Sequence, residues 1–150
     1  MSNMFVNYVN NENYIPNNAC PPIFNTPVNC CNLCKPYEEV DINGNFVGYF
    51  WYYGNSIQLK FTTTGTIELD GTYETAEEYF NGKTAQIIIK DARYQEIYRE
   101  NLPANPELTF NIYPDLAEKL LRGIYHISIN IISDDLSTIT IVDNLQINIK

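Results

Sequence analysis

The sequence predicts an all-β fold, a two-sheet antiparallel sandwich with one short helix, reached through an extended N-terminal arm. Three observations predict it. Apolar residues alternate with polar ones along most of the chain after Phe46, as in Ile57-x-Leu59-x-Phe61, Ile87-x-Ile89 and Ile127-x-Ile129-x-Ile131, and a period of two puts one set of side chains on one face of a strand. Turn residues interrupt these runs about every ten positions, the spacing of short antiparallel strands. The composition adds 12 Tyr to many Ile and Asn, a mixture that suits pleated surfaces and turns better than helices.

A chain of 150 residues, 45% apolar, buries about two thirds of its unfolded surface on folding, enough for one domain with a core. Its net charge of −9 repels phosphate backbones and anionic lipid, so nucleic acid and membrane surfaces are not expected as partners. No apolar run approaches the length of about 20 residues that a spanning helix needs. The opening MSNMFVNYVNN lacks the basic and apolar regions of a secretory signal, so synthesis in a cytoplasm is expected.

Residues 1–44 read as an arm and residues 45–150 as the sandwich. The arm has no sustained period, and Pro16, Pro21, Pro22, Pro27 and Pro36 break any regular element. Phe5, Tyr8, Tyr14, Ile15, Phe24 and Val28 are nonetheless spaced along it at a density that a solvated linker does not need, which suggests anchors for a partner surface, with packing on the chain's own β domain as the alternative. All four cysteines, Cys20, Cys30, Cys31 and Cys34, lie in this arm. Cys31-x-x-Cys34 has the spacing that binds one zinc from a tight turn, and Cys20 and Cys30 would complete a structural tetrahedral site. Buried free thiols and disulfides are the other two readings, the last disfavoured by cytoplasmic synthesis. Apart from this zinc, no cofactor is expected.

Asn43-Gly44 signals the first tight turn. In the run GYFWYYGN that follows, alternation sends Tyr49, Trp51 and Tyr53 to one face and Phe50 and Tyr52 to the other, so core on one side and a subunit contact through Phe50 and Tyr52 on the other is the expectation. Sugar stacking by these rings is the alternative. Gly54-Asn55 turns into the strand around Ile57 to Phe61. Gly65 to Gly82 then reads as a polar, acidic insertion with one helical turn at Thr75 to Phe80. A hairpin at Ala85 to Glu100 and a strand at Leu108 to Ile112 come next. The helix is placed at Asp115 to Leu121, with Asp115 and Glu118 in capping-box spacing. Tyr125 to Ile131, with His126 on the polar and exposed side, and a long final run from Ile139 to Ile149 complete seven or eight strands. Two sheets of immunoglobulin-like type accommodate such a pattern.

No catalytic residues are identified. The sequence has one His and no phosphate-binding, dinucleotide-binding, nucleophile-elbow or zinc-protease motif. The carboxylate neighbours Glu77-Glu78 and Asp134-Asp135 lie in polar loops.

The order Trp51-Tyr-Tyr-Gly54-Asn, Ile57-x-Leu59-x-Phe61, Gly82-Lys83-Thr84-Ala85-x-Ile87-x-Ile89-x-Asp91, Leu108-x-Phe110 and Arg122-Gly123-x-Tyr125-x-x-x-Ile129 resembles a recurring β-sandwich domain of tailed-bacteriophage virion proteins. It is similar to the N-terminal domain of baseplate upper proteins and to domains of head-fibre and tail-fibre proteins, over about Phe46 to Lys150. The insertion from Thr66 to Phe80 and the cysteine arm depart from that pattern. The resemblance implies a non-enzymatic, homo-oligomeric virion component, made in a bacterial cytoplasm. It would dock on capsid, fibre or baseplate proteins by its N-terminus, as head-fibre and adaptor subunits do. A baseplate or tail-fibre component and a carbohydrate-binding module are the alternatives.

Overall fold

Alternation along Ile127, Ile129 and Ile131 becomes the spine of a six-stranded sheet. The computed structural model describes residues 5–7, 33–69 and 71–150. In chain order these form β1 (Phe5–Asn7), β2 (Tyr37–Val40), β3 (Phe46–Trp51), β4 (Ile57–Thr64), β5 (Thr66–Leu69), β6 (Thr72–Thr75), α1 (Ala76–Phe80), β7 (Thr84–Lys90), β8 (Glu96–Pro103), β9 (Glu107–Ile112), α2 (Pro114–Lys119), β10 (Gly123–Ile132) and β11 (Thr138–Ile149). The large sheet has the order β2-β3-β11-β10-β7-β8, a second sheet the order β1-β4-β9, and β5 and β6 form a separate hairpin. Inward residues of both sheets, among them Leu59, Phe61 and Phe110 from one and Ile87, Ile129 and Ile147 from the other, join a single buried cluster. The fold is therefore all-β and sandwich-like, with one core between two sheets.

Several elements differ from expectation. The sheets are not wholly antiparallel: β3 runs parallel to β11, with Tyr49 opposite Ile147 and Trp51 opposite Ile149. The folded unit also reaches back into the segment assigned to the arm. Residues of β2 pair with β3, Tyr37 opposite Phe50 and Glu39 opposite Gly48, while Cys34 bridges to Ile57.

There are two short helices among the described residues. The capping box belongs to the first: Thr75 Oγ1 accepts from the Glu78 backbone N–H at 3.2 Å, and the Glu78 carboxylate accepts from the Thr75 N–H at 3.2 Å. The second starts one residue before Asp115, because Pro114 brings a fixed helical φ and lacks the N–H that would need a cap, and its N-cap Tyr113 makes no side-chain bond. The acidic insertion is likewise not all solvated surface. It holds the β5–β6 hairpin and α1, and α1 sends Ala76, Tyr79 and Phe80 into the core while Glu77 and Glu78 stay exposed, the i, i+3, i+4 face of a helix.

Candidate functional site

The strand edge at β2 and β3 carries the most concentrated chemistry on the outside of the large sheet. Because the Asn43-Gly44 turn folds β2 back on β3, Tyr37 sits directly across from Phe50, and cross-strand aromatics on one face are near enough to touch. Their rings stack at 4.9 Å between centroids, 8° from parallel. Tyr52 meets both edge-on, at 5.8 Å from Tyr37 and 6.1 Å from Phe50. From β11, on the other flank of β3, the Lys150 ammonium stands 3.8 Å from the Phe50 ring centre. Phe50 thus has the Tyr37 ring of β2 and the Lys150 ammonium against it. Both expected interface residues, Phe50 and Tyr52, lie together and half-buried on this face, and Tyr37 joins them.

An ion pair fixes the cation. Glu39 lies 3.0 Å from Lys150 Nζ and accepts from Asn148 Nδ2 at 2.9 Å. Partial burial pushes the Glu39 carboxyl up, but the Asn148 hydrogen bond and the Lys150 bond and charge outweigh it, leaving the group below its ordinary value of 4.5. A carboxyl with a depressed folded-state pKa contributes stability that is present above 4.5 and lost as pH falls through its lower folded value. Glu39→Gln should therefore weaken the dependence of unfolding free energy on pH in that acid window and leave neutral-pH stability changed by less than about 1 kcal/mol. Urea denaturation across the window reads both quantities, and an acid limb as steep as that of the native chain would refute the assignment.

This geometry makes an aromatic ridge bounded by charge. Ring stacking on a sugar needs an open face, and the Tyr37 ring and the Lys150 ammonium both already lie against the Phe50 ring. Near it the β2–β3 turn is tightened by Asp41, whose carboxylate accepts from the Asn43 and Asn45 N–H groups at 2.8 and 3.0 Å. Ile42 at that tip is 100% exposed, and Val40, Phe46 and Val47 are exposed beside it. Apolar side chains gathered at a rigid tip mark a surface that gains by being covered.

The N-terminal residues converge on a different place, the edge of β4. Phe5 pairs with Thr64, Val6 with Thr63 and Asn7 with Thr62, antiparallel. At the opposite end of the same strand the Cys34 N–H donates to the Ser56 carbonyl at 2.8 Å, and the Gln58 N–H donates to the Cys34 carbonyl at 2.9 Å. Cys34 is buried, 1% exposed, and disulfide-bonded. Of the three cysteine states open to the sequence, the disulfide is the one Cys34 adopts, and a sulfur so bonded has no thiolate to offer zinc. The other candidate ligands, Cys20, Cys30 and Cys31, and the anchors Tyr8, Tyr14, Ile15, Phe24 and Val28 lie outside the described residues. Among the described residues no three His, Cys, Asp or Glu side chains gather around a metal-sized space.

His126 is buried, 8% exposed, and not on an open polar face. The Asp91 turn, with Tyr94 at φ 63°, lays the Tyr94 ring over the imidazole at 4.3 Å, and Nδ1 lies 3.5 Å from the Asp91 carbonyl. On the neighbouring flank a cleft of about 500 Å³ is lined by Asp91, Tyr98, Asp115, Leu116, Lys119 and Tyr125. Burial and then the bond and charge of Glu100 push the Tyr98 hydroxyl up to about 12. It donates to Glu100 at 2.7 Å and so holds its proton. No protein-family model matches the chain, and no curated protein matches it either, so its role is read from its own residues.

Proposed function

We propose that this chain is a non-enzymatic structural protein of a bacteriophage virion, an accessory, head-fibre or adaptor subunit of immunoglobulin-like type. It docks by its N-terminal arm on other virion proteins and acts as a homo-oligomer. The observation that carries the reading is that the stretches resembling phage sandwich domains are the elements of one core. Ile57 to Phe61 lies on β4, Thr84 to Ile89 on β7, Leu108 to Phe110 on β9 and Tyr125 to Ile129 on β10. Two further features support it. The aromatic ridge with its ion pair and the apolar tip at Ile42 are contact chemistry, and the arm returns to a sheet edge where strands add to one another.

Purified particles of a phage encoding this chain should contain it in many copies, by quantitative mass spectrometry against the major capsid protein. A density map should place a sandwich of this size at symmetry-related positions with its N-terminus toward the particle. Absence from washed particles, with the protein recovered only in the free pool, would overturn the reading.

A further inference from the structure

We infer that β1 is an exchangeable strand, and that the β4 edge it occupies is a docking site for the N-terminus of a second copy of this chain. The inference deepens the docking role proposed above, because it names the partner of the arm's first strand.

The argument begins with the edge. An unpaired strand edge presents a row of N–H and C=O groups that will accept another strand through its backbone. β4 is paired on one side along its length by β9, from Ile57 opposite Ile112 to Thr62 opposite Glu107. On its other side the described partners are Cys34 at one end and β1 at the other. β1 adds three residue pairs, a strand too short to be fixed by its own length.

The tether comes next. Residues 8–32 join β1 to Leu33, and the Cys34 disulfide closes part of that length, since the other cysteines are Cys20, Cys30 and Cys31; at about 3.3–3.6 Å per extended residue, the chain from Asn7 to even the earliest of these still reaches about 45 Å. From Cys34 at Ile57 back to Asn7 at Thr62 the strand covers only about 17 Å. A domain of this length has a radius of gyration of about 15 Å, so that reach is comparable to the width of one domain and suffices for the same edge on a copy packed directly alongside. Own-edge and neighbour-edge seating form identical backbone pairs, and the two differ only in effective concentration. A long tether supplies millimolar-scale local concentration at most, which copies packed side by side match. Exchange therefore costs no contact and links subunits. If reciprocal it closes a dimer, and if one-way it makes a ring or row, because donor and acceptor are different surfaces.

The test uses the full chain, with Phe5→p-benzoylphenylalanine placed opposite Thr64. After expression and oligomer isolation, irradiation and a reducing denaturing gel separate the two seatings. Exchange predicts that more than half of the cross-linked chain runs as covalently joined copies, with the link mapped by mass spectrometry to residues 57–64. The reverse placement, Thr62→p-benzoylphenylalanine opposite Asn7, leaves the donor unaltered and should give the same joined copies. Cross-links to 57–64 within single chains, or joined copies linked elsewhere, would overturn exchange. If arm-dependent incorporation into particles persists alongside such a result, the docking role survives and only its partner is wrong.

Discussion

Gly48→Ala is expected to destabilise the domain by about 3–5 kcal/mol, a large share of the roughly 5–15 kcal/mol that holds a domain together. Gly48 lies in β3 with φ +152°, and a Cβ there would sit 2.2 Å from the Gln146 carbonyl oxygen and 3.0 Å from the Gln146 carbonyl carbon. The obstruction is backbone, so no side-chain rotation relieves it. Unfavourable φ alone costs about 1–3 kcal/mol. Moving β3 away from Gln146 would also loosen the parallel pairing of Tyr49 to Trp51 with Ile147 to Ile149. Tyr49 and Trp51, 5% and 3% exposed, would then lose part of their burial. Gly44 is the control: its φ is +82°, and a Cβ there meets nothing within 4 Å. Gly44→Ala should cost only the local strain, about 1–2 kcal/mol. Trp51 is the one tryptophan of the chain, so its fluorescence in urea titrations reports directly on this seam. Equal losses at the two glycines would show that close approach to β11 does not matter.

The seam also shows where the sequence stops being informative. Alternation assigns a side chain to a face, and for Ile87, Ile89, Phe110, Ile127 and Ile129 that assignment holds, with each at most 1% exposed. Alternation does not say which strand lies alongside, because both neighbours of a buried strand are satisfied by the same apolar face. The parallel β3–β11 pair was therefore invisible, although Gly48, inside a strand of bulky residues, is the kind of glycine that marks a close backbone approach. Tyr37 was missed for a related reason. Its strand, Tyr37-Glu38-Glu39-Val40, follows Pro36 and carries two acids, and it reads as part of the arm. The Asn43-Gly44 turn was legible, but the register shift between Glu39 and Val40 defeats counting outward from the turn to Phe50, since a bulge offsets every pair beyond it.

His126 and the acidic insertion show the limit from the opposite side. Periodicity rightly put His126 on the face away from Ile127, yet a turn residue with positive φ, Tyr94, covers it, and that cover is tertiary. In the insertion the helical turn expected at Thr75 to Phe80 is α1, but the density of Glu hid its buried side, Ala76, Tyr79 and Phe80. Too few residues are involved for a period of 3.6 to register. The outer aromatic cluster was partly legible, through Phe50 and Tyr52. What makes it a ridge, the Tyr37 stack and the Lys150 ammonium against Phe50, depends on strand order.

Deleting residues 1–32 should leave a folded sandwich and reduce incorporation into particles to background. The cut falls ahead of the Cys34 bridge to Ile57 and of β2, so the six-stranded sheet and its core remain, while β1 is lost from the smaller sheet and Cys34 loses its disulfide partner, the other three cysteines all lying within residues 1–32. Cooperative unfolding should persist, with β4 left as an edge. The arm has a different energetic position. Ordering a residue costs about 1–2 kcal/mol of conformational entropy, and a prolyl, Asn-rich segment with Phe5, Tyr8, Tyr14, Ile15, Phe24 and Val28 as its main anchors cannot offset that by a core of its own. On the docking role proposed above it buries those anchors on other virion proteins, and many copies on one particle would multiply a weak individual attachment. Complementation of a deletion phage with full-length and truncated chains, followed by quantitative mass spectrometry of washed particles, gives the comparison. Normal copy number for the truncated protein would show the arm to be dispensable and shift attachment to the sandwich. The Tyr37, Phe50 and Tyr52 ridge and the Ile42 tip would then be the next surfaces to substitute.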